Sequence, residues 1–204
     1  MTDPGSDPVS RLRHAVRRTA ELVRDRPATG LGHDDADDRQ GTIATDGAIG
    51  FDPLRLLAEL DRQGARVVVI GQVAGILHGS TELTGDLDLL WDGAPEGAAR
   101  MAAAFAAVGA RLTDDDGAEV RCEASAFLLP KLDFSSPAAS GDCCTPALPW
   151  GELDVAGFAA RALSTAGEDG TVIHYLTRAD LTAMRRAVGR PKDLRRAAEL
   201  ERLA

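Results

Sequence analysis

Apolar and polar positions along the chain follow two periods, and the changes between them outline the elements. From residue 10 to 26, Leu12, Ala15, Val16, Thr19, Leu22 and Val23 recur at helical spacing, with Arg11, Arg13, Arg17, Arg18 and Arg24 between them. From Pro27 to Gly50 the periodicity is lost and an acidic run, His33-Asp34-Asp35-Ala36-Asp37-Asp38, appears, which predicts a flexible linker. Order returns at Phe51. Asp52-Pro53 is a helix-start signal, and Leu54, Leu57, Ala58 and Leu60 form a stripe that Gly64 ends. Val67 to Ile70 is an apolar, β-branched run expected to be a buried strand, closed by Gly71. Val73, Ala74, Ile76 and Leu77 then return to helical spacing, and a Gly/Ser/Thr turn leads into a second strand over residues 86–91. Alternation on that strand sets Asp86 and Asp88 on one face and Leu87 and Leu89 on the other.

The second half predicts an Ala-rich helix over residues 95–108, closed by Gly109, and short strands at 110–112 and 118–123 around an Asp114-Asp115-Asp116-Gly117 turn. A further strand starts near Ala126 and continues through Leu132-Asp133-Phe134, whereas residues 135–150 read as a surface loop. A helix is expected over 152–163 and a strand over 171–176. Thr177-x-x-Asp180 starts a helix carrying Leu181, Met184 and Val188, and a final helix follows Gly189-Arg190-Pro191. Together these elements predict an α+β fold: a mixed β-sheet with packed helices and a C-terminal helical segment. They also suggest two parts. Residues 1–50 form a basic helix plus flexible acidic linker, and residues 51–204 form a domain expected to fold without the first 48 residues.

Composition narrows the function classes. The chain has 204 residues, enough for a real core, but only 4% are aromatic, so that core must be built from Ala, Leu and Val. A net charge of −9 argues against a generic nucleic-acid binder, although a local basic patch is compatible with it. The basic first helix reads as a solvated accessory element in preference to an RNA-binding or partner-binding one. Lysine occurs only at Lys131 and Lys192, an Arg bias that reads as composition and not as a functional signal. No apolar run is long enough to span a membrane and the first residues lack a signal-peptide core, so a cytoplasmic chain is expected. Cys122, Cys143 and Cys144 lack C-x-x-C spacing, which favours reduced thiols over a zinc site shared with His174.

The informative chemistry is the Asp86-x-Asp88 pair. Such a pair is common on solvated strands. Here it follows a strand, a glycine, a short helix and a Gly-Ser turn, a setting that suits divalent cations and phosphates. Gly71-x-x-Ala74-x-x-x-His78-Gly79-Ser80 followed by Thr84-x-Asp86-Leu87-Asp88-Leu89 resembles the motif of the polymerase-β-like nucleotidyltransferase superfamily. The likeness is greatest to its small bacterial branch of AbiEii-type toxins. LTAMRRAVGRPKDLRRAAEL, near the end of the chain, resembles the C-terminal signature of the same group, so the resemblance spans about Phe51 to Ala204.

The resemblance implies a Mg²⁺-dependent transfer of NMP from an NTP to a hydroxyl acceptor. The acceptor would be an RNA such as the tRNA 3′ end, a small molecule or a protein, and an antitoxin-like protein partner is implied as well. It makes Asp86, Asp88 and Asp133 the catalytic, metal-holding carboxylates for two Mg²⁺ ions, with Asp154 the weaker candidate for the third place. It makes Gly71, Gln72, Ser80, Thr84, Arg190 and Lys192 the nucleotide-binding residues, while His78 braces the turn. Arg190 and Lys192 face either the triphosphate or Asp193 and the acidic centre. The chain departs from the family pattern at Gln72, where a second glycine is usual, at Glu82, where Arg is common, and at Arg185, often Lys. A catalytically weak or inactive module that binds nucleotide or a protein partner is the alternative.

Overall fold

A computed structural model describes residues 7–32 and 35–203. It has the α+β architecture expected, a mixed sheet with helices packed on it. The helices are α1 (Pro8–Val23), α2 (Leu54–Arg62), α3 (Gly71–Leu77), α4 (Pro95–Ala107), α5 (Phe158–Arg161), α6 (Arg178–Val188) and α7 (Pro191–Arg202). The strands are β1 (Val67–Val69), β2 (Leu89–Trp91), β3 (Arg111–Thr113), β4 (Glu119–Val120), β5 (Lys131–Ser135), β6 (Ser140–Cys144), β7 (Leu163–Ala166) and β8 (Val172–Tyr175). They form one sheet in the order β4-β3-β5-β6-β2-β1-β8-β7. The β1–β8 and β2–β6 pairs are parallel and the others antiparallel.

The central strands are apolar on both faces, and Val67, Val68, Val69, Leu89, Leu90 and Trp91 are all buried. On the irregular approach to β2 the anticipated alternation holds: Leu87 is buried and both flanking acids are half-buried. Aromatic side chains are few and concentrated, with Phe105 stacked among Phe127 and Phe134 at about 5 Å. Several local signals act as read. The Asp114 side chain accepts the Asp116 and Ala118 amides in the β3–β4 turn. Thr177 caps α6 by accepting the Asp180 amide, while Asp180 accepts the Thr177 hydroxyl.

Several expectations need correction: residues 86–88 lie outside a regular strand, and Ala126–Leu128 is a 3₁₀ turn and not the start of β5. Residues 135–150 are not a surface loop, because Ser140–Cys144 forms a strand in the middle of the sheet, with Gly141, Cys143 and Cys144 buried. Its composition lacks the β-branched and large apolar residues that mark a strand, and pairing with β5 and β2 supplies the order instead. The helix expected over 152–163 shrinks to the four residues of α5, after which Leu163 begins β7.

Packing crosses residue 50, where the sequence suggested a division. Helix α1 lays Val9, Leu12 and Ala15 into the main core, and Arg11 donates to the Leu77 carbonyl at the end of α3 (2.9 Å). Residues 41–48, placed in a flexible linker by their polarity, form two 3₁₀ turns. Those turns pack on the Asp86 loop so closely that a Cβ on Gly85 would meet Ala48 at 2.6 Å. Polar composition misled because these residues are ordered by hydrogen bonds and not by apolar burial. Leu12→Ala is therefore expected to cost about 2–5 kcal/mol in urea unfolding, as for other buried leucines, and a chain without residues 1–48 is expected to lose its cooperative melt. A loss under about 1 kcal/mol for Leu12→Ala would make α1 an accessory helix.

Candidate functional site

The Asp-x-Asp loop opens into a cleft of about 370 Å³ between the sheet and the α6–α7 pair. One wall is acidic: Asp86, Asp88 and Asp142. The other carries Arg185, Arg190, Lys192 and Arg196, and Lys131 stands at the acidic side. Of the nucleotide-binding residues anticipated, Gly71, Gln72, Arg190 and Lys192 line this cleft; Ser80 and Thr84 do not. Asp133 lines a neighbouring cavity of about 640 Å³.

Gly71 shows why the pair is seated here. Its φ is +61°, and an added Cβ would fall 1.8 Å from the Asp88 carboxylate oxygen, so only glycine lets that side chain lie across the start of α3. Asp86 is held from the other side. Its Oδ1 accepts the Thr42 hydroxyl at 2.8 Å and the Thr84 hydroxyl, and the two threonine hydroxyls are themselves 2.8 Å apart. Thr84 is thus a buried brace for Asp86, and a segment expected to be linker supplies a second brace.

The acid that lines the cleft beside Asp86 and Asp88 is Asp142. Parallel register pairs Leu89 with Cys143, which sets Asp88 and Asp142 side by side one residue earlier. Gly141 permits this: with φ +152°, it brings β6 so close that a Cβ would lie 2.1 Å from the Leu87 carbonyl oxygen. Asp133 pairs with Asp142 across β5–β6 and therefore stands one strand further from Asp88. Asp154 does not line the cleft and pairs with Arg161 (3.5 Å) on an exposed loop. The available signal for Asp142 was an acid set between two uncharged, non-polar residues, Gly141 and Cys143, as Asp133 is set between Leu132 and Phe134.

Crowding shifts the acids. Burial first, and the charge of Asp86 second, push the Asp88 carboxyl up to about 8 despite the pull of Arg196 and Arg190. Burial, a hydrogen bond with Asp133 and the charge of Asp88 push Asp142 well above the usual carboxylate range, against the pull of Lys131. Lys131 is raised as well: burial works to lower its pKa, and Asp142, Asp133 and Asp115 more than reverse that.

The cationic wall is an ordered network. Arg185 is buried, donates to Gln72 Oε1 (2.7 Å) and the Gly71 carbonyl (3.2 Å), and is lowered to about 10 by burial and by Arg196, so it stays charged at neutral pH. Gln72 in turn donates to Ser80 Oγ (3.0 Å) and the Glu82 carbonyl (2.7 Å), and Ser80 donates to Glu199 (2.8 Å). Glu82 turns away from the acids and binds Arg196 at 2.7 Å and Arg195 at 3.3 Å. Arg190 pairs with Asp193 (2.6 Å), the intramolecular choice between its two expected partners. His78 braces the turn as anticipated, through a 2.8 Å hydrogen bond to the Leu176 carbonyl.

Lys192 is 8% exposed and has no ion-pair partner among the described residues. Both lysines of the chain line this one cleft. Cys143 and Cys144 are free thiols on β6, with strands β2 and β1 between them and His174 on β8. Among the described residues, no three or more His, Cys, Asp or Glu side chains close into a ready cation cage, and no helix is long and apolar enough to cross a membrane.

The shifted acids give a pH signature. With its folded pKa raised above the unfolded value, Asp88 contributes stability that is complete below about pH 4 and drains away as pH rises towards 8. Asp88→Asn, which keeps the shape without the charge, is expected to melt progressively higher than wild type as pH increases from 4 to 8. Parallel Tm curves for the two proteins across that range would contradict the assigned crowding. Scanned against protein-family models and against curated proteins, the chain matches none.

Proposed function

We propose that the cleft binds a nucleoside triphosphate with a divalent cation, Mg²⁺ being the expected ion, and transfers the nucleotidyl group to a hydroxyl-bearing acceptor. The observation that carries this reading is the facing of Asp86, Asp88 and Asp142 across one cleft by Arg185, Arg190, Lys192 and Arg196. A polyanion bound to a hard cation matches both walls at once. The donor set fits: carboxylate oxygens are the ligands such an ion takes, and the proton uptake that crowding forces on Asp88 is what a bound cation would replace. Asp86 and Asp88, with Asp142 beside them, would hold it. Once bound, the ion would neutralise charge on the reacting phosphate.

The chain's own groups do the rest. Lys192 and Arg190 attract the phosphates, Lys192 most directly because no carboxylate of the described residues lies at ion-pair distance from it, whereas Arg190 is held by Asp193. Thr42 and Thr84 fix the Asp86 carboxylate by hydrogen bonds to one oxygen, leaving the other for the cleft. Asp142, beside Asp88 on the neighbouring strand, is the group placed to take the acceptor hydroxyl's proton. The acceptor oxygen then bonds to the α-phosphorus, the bridge to the β-phosphate breaks, and pyrophosphate leaves. A net charge of −9 favours a small acceptor over one with a long phosphate footprint.

One observation favours a second reading, a nucleotide-binding module without transfer. Gln72 and Ser80, which would face phosphates, are committed to internal hydrogen bonds. The deciding experiment combines melting with label transfer. Mg²⁺ and NTP together are expected to raise Tm more than the sum of each alone. Lys192→Ala is expected to weaken NTP binding about tenfold or more with the apo melt preserved, and Asp88→Asn to abolish the synergy. Labelled NTP supplied with small hydroxyl acceptors and total RNA then reads transfer. Binding without transfer to any acceptor supports the module, and no binding of Mg-NTP removes both readings.

A further inference from the structure

The acids around the cleft are unequally compensated. Asp86 is met by two threonine hydroxyls, and Asp88 lies against Gly71; among the described residues neither has a cation at ion-pair distance. Asp142 and Asp133, paired across β5–β6, already share one. Lys131 Nζ lies 3.2 Å from Asp133 Oδ1, 3.8 Å from Asp142 Oδ1 and 3.5 Å from Asp115 Oδ1 of the β3–β4 turn. The side chain is 19% exposed and lines the cleft, so it is seated among these groups and does not merely trail over them.

Residue choice sharpens the point. The chain has 23 basic residues and only two are lysine, at this position and on the opposite wall. An ammonium is a compact charge with three donors that can serve three carboxylates arranged around it, which a planar guanidinium cannot do as well.

We infer that Lys131 occupies the place of a second divalent cation: the cleft takes one ion, at Asp86 and Asp88, and Lys131 supplies the positive charge at Asp142 and Asp133. Lys131 is then a positioning residue. It holds the Asp142 carboxylate beside Asp88 and reduces the negative charge on that side of the cleft without a metal. A divalent ion reaching Asp142 would have to approach an ammonium a few ångströms away, so it is excluded while Lys131 is present. The inference rests on the nucleotidyl-transfer reading for the purpose of the ion, but it is a statement about stoichiometry.

The test is a titration of the full chain with Mn²⁺ in the presence of a non-hydrolysable NTP analogue, with free Mn²⁺ read by electron paramagnetic resonance. Wild type is expected to take one ion per chain. Lys131→Met is expected to take two, its second at least tenfold tighter than any second ion on wild type, and Lys131→Arg to return to one. Two ions of similar affinity on wild type overturn the inference and leave the nucleotidyl-transfer reading standing. A Met variant that folds and still takes one ion also overturns it, since a purely structural lysine would not alter the count. If Lys131→Met does not fold, the wild-type count decides alone. No Mn²⁺ on wild type removes the nucleotidyl-transfer reading and this inference with it.

Discussion

Repulsion among carboxylates, imposed by backbone contacts that leave them no room to separate, is the constraint around which the molecule is built. Asp88 cannot retreat because it lies on the bare Cα of Gly71. Asp142 cannot retreat because β6 is drawn against Leu87 at Gly141. The rest of the structure answers that crowding with hydroxyls from Thr42 and Thr84, an ammonium from Lys131, and guanidinium groups held by α6 and α7. The sheet supplies the energy that keeps the acids together, since the strands carrying them are buried among Val, Leu and Trp side chains.

The departures at Gln72, Glu82 and Arg185 lose their independence in three dimensions. Gln72 accepts from Arg185, its amide reaches the Glu82 backbone, and the Glu82 side chain holds Arg196, whose carbonyl accepts from Arg185. They are members of one closed circuit. An anion that looked misplaced beside an acidic centre instead orients a cation of the facing wall, which is why its position along the sequence was a poor guide to its effect.

Local pattern made some of this legible and hid the rest. The Asp-x-Asp alternation, the Gly71 break and the Thr177 cap are short-range features, each decided by a few neighbouring residues; the last two occur as read, and the first occurs ahead of β2 and not on it. Asp142 was missed because Ser-Gly-Asp-Cys-Cys has almost no strand propensity of its own and is ordered by pairing on both sides. Thr42 was missed because a polar segment without periodicity gives no hint of what its hydroxyls will meet 44 residues later. The lysines were visible as an anomaly, but composition cannot say that two rare residues converge on one cleft.

The Arg185–Gln72 and Arg196–Glu82 contacts join positions 113 and 114 residues apart, and Ser80–Glu199 spans 119. During synthesis the acids of the Asp-x-Asp loop therefore emerge long before the helix that balances them. A nascent chain that ends before Pro191 has the acidic wall of the cleft and lacks Lys192 and Arg196. The cleft's second wall is therefore complete only after α7 has docked, once synthesis has passed that helix.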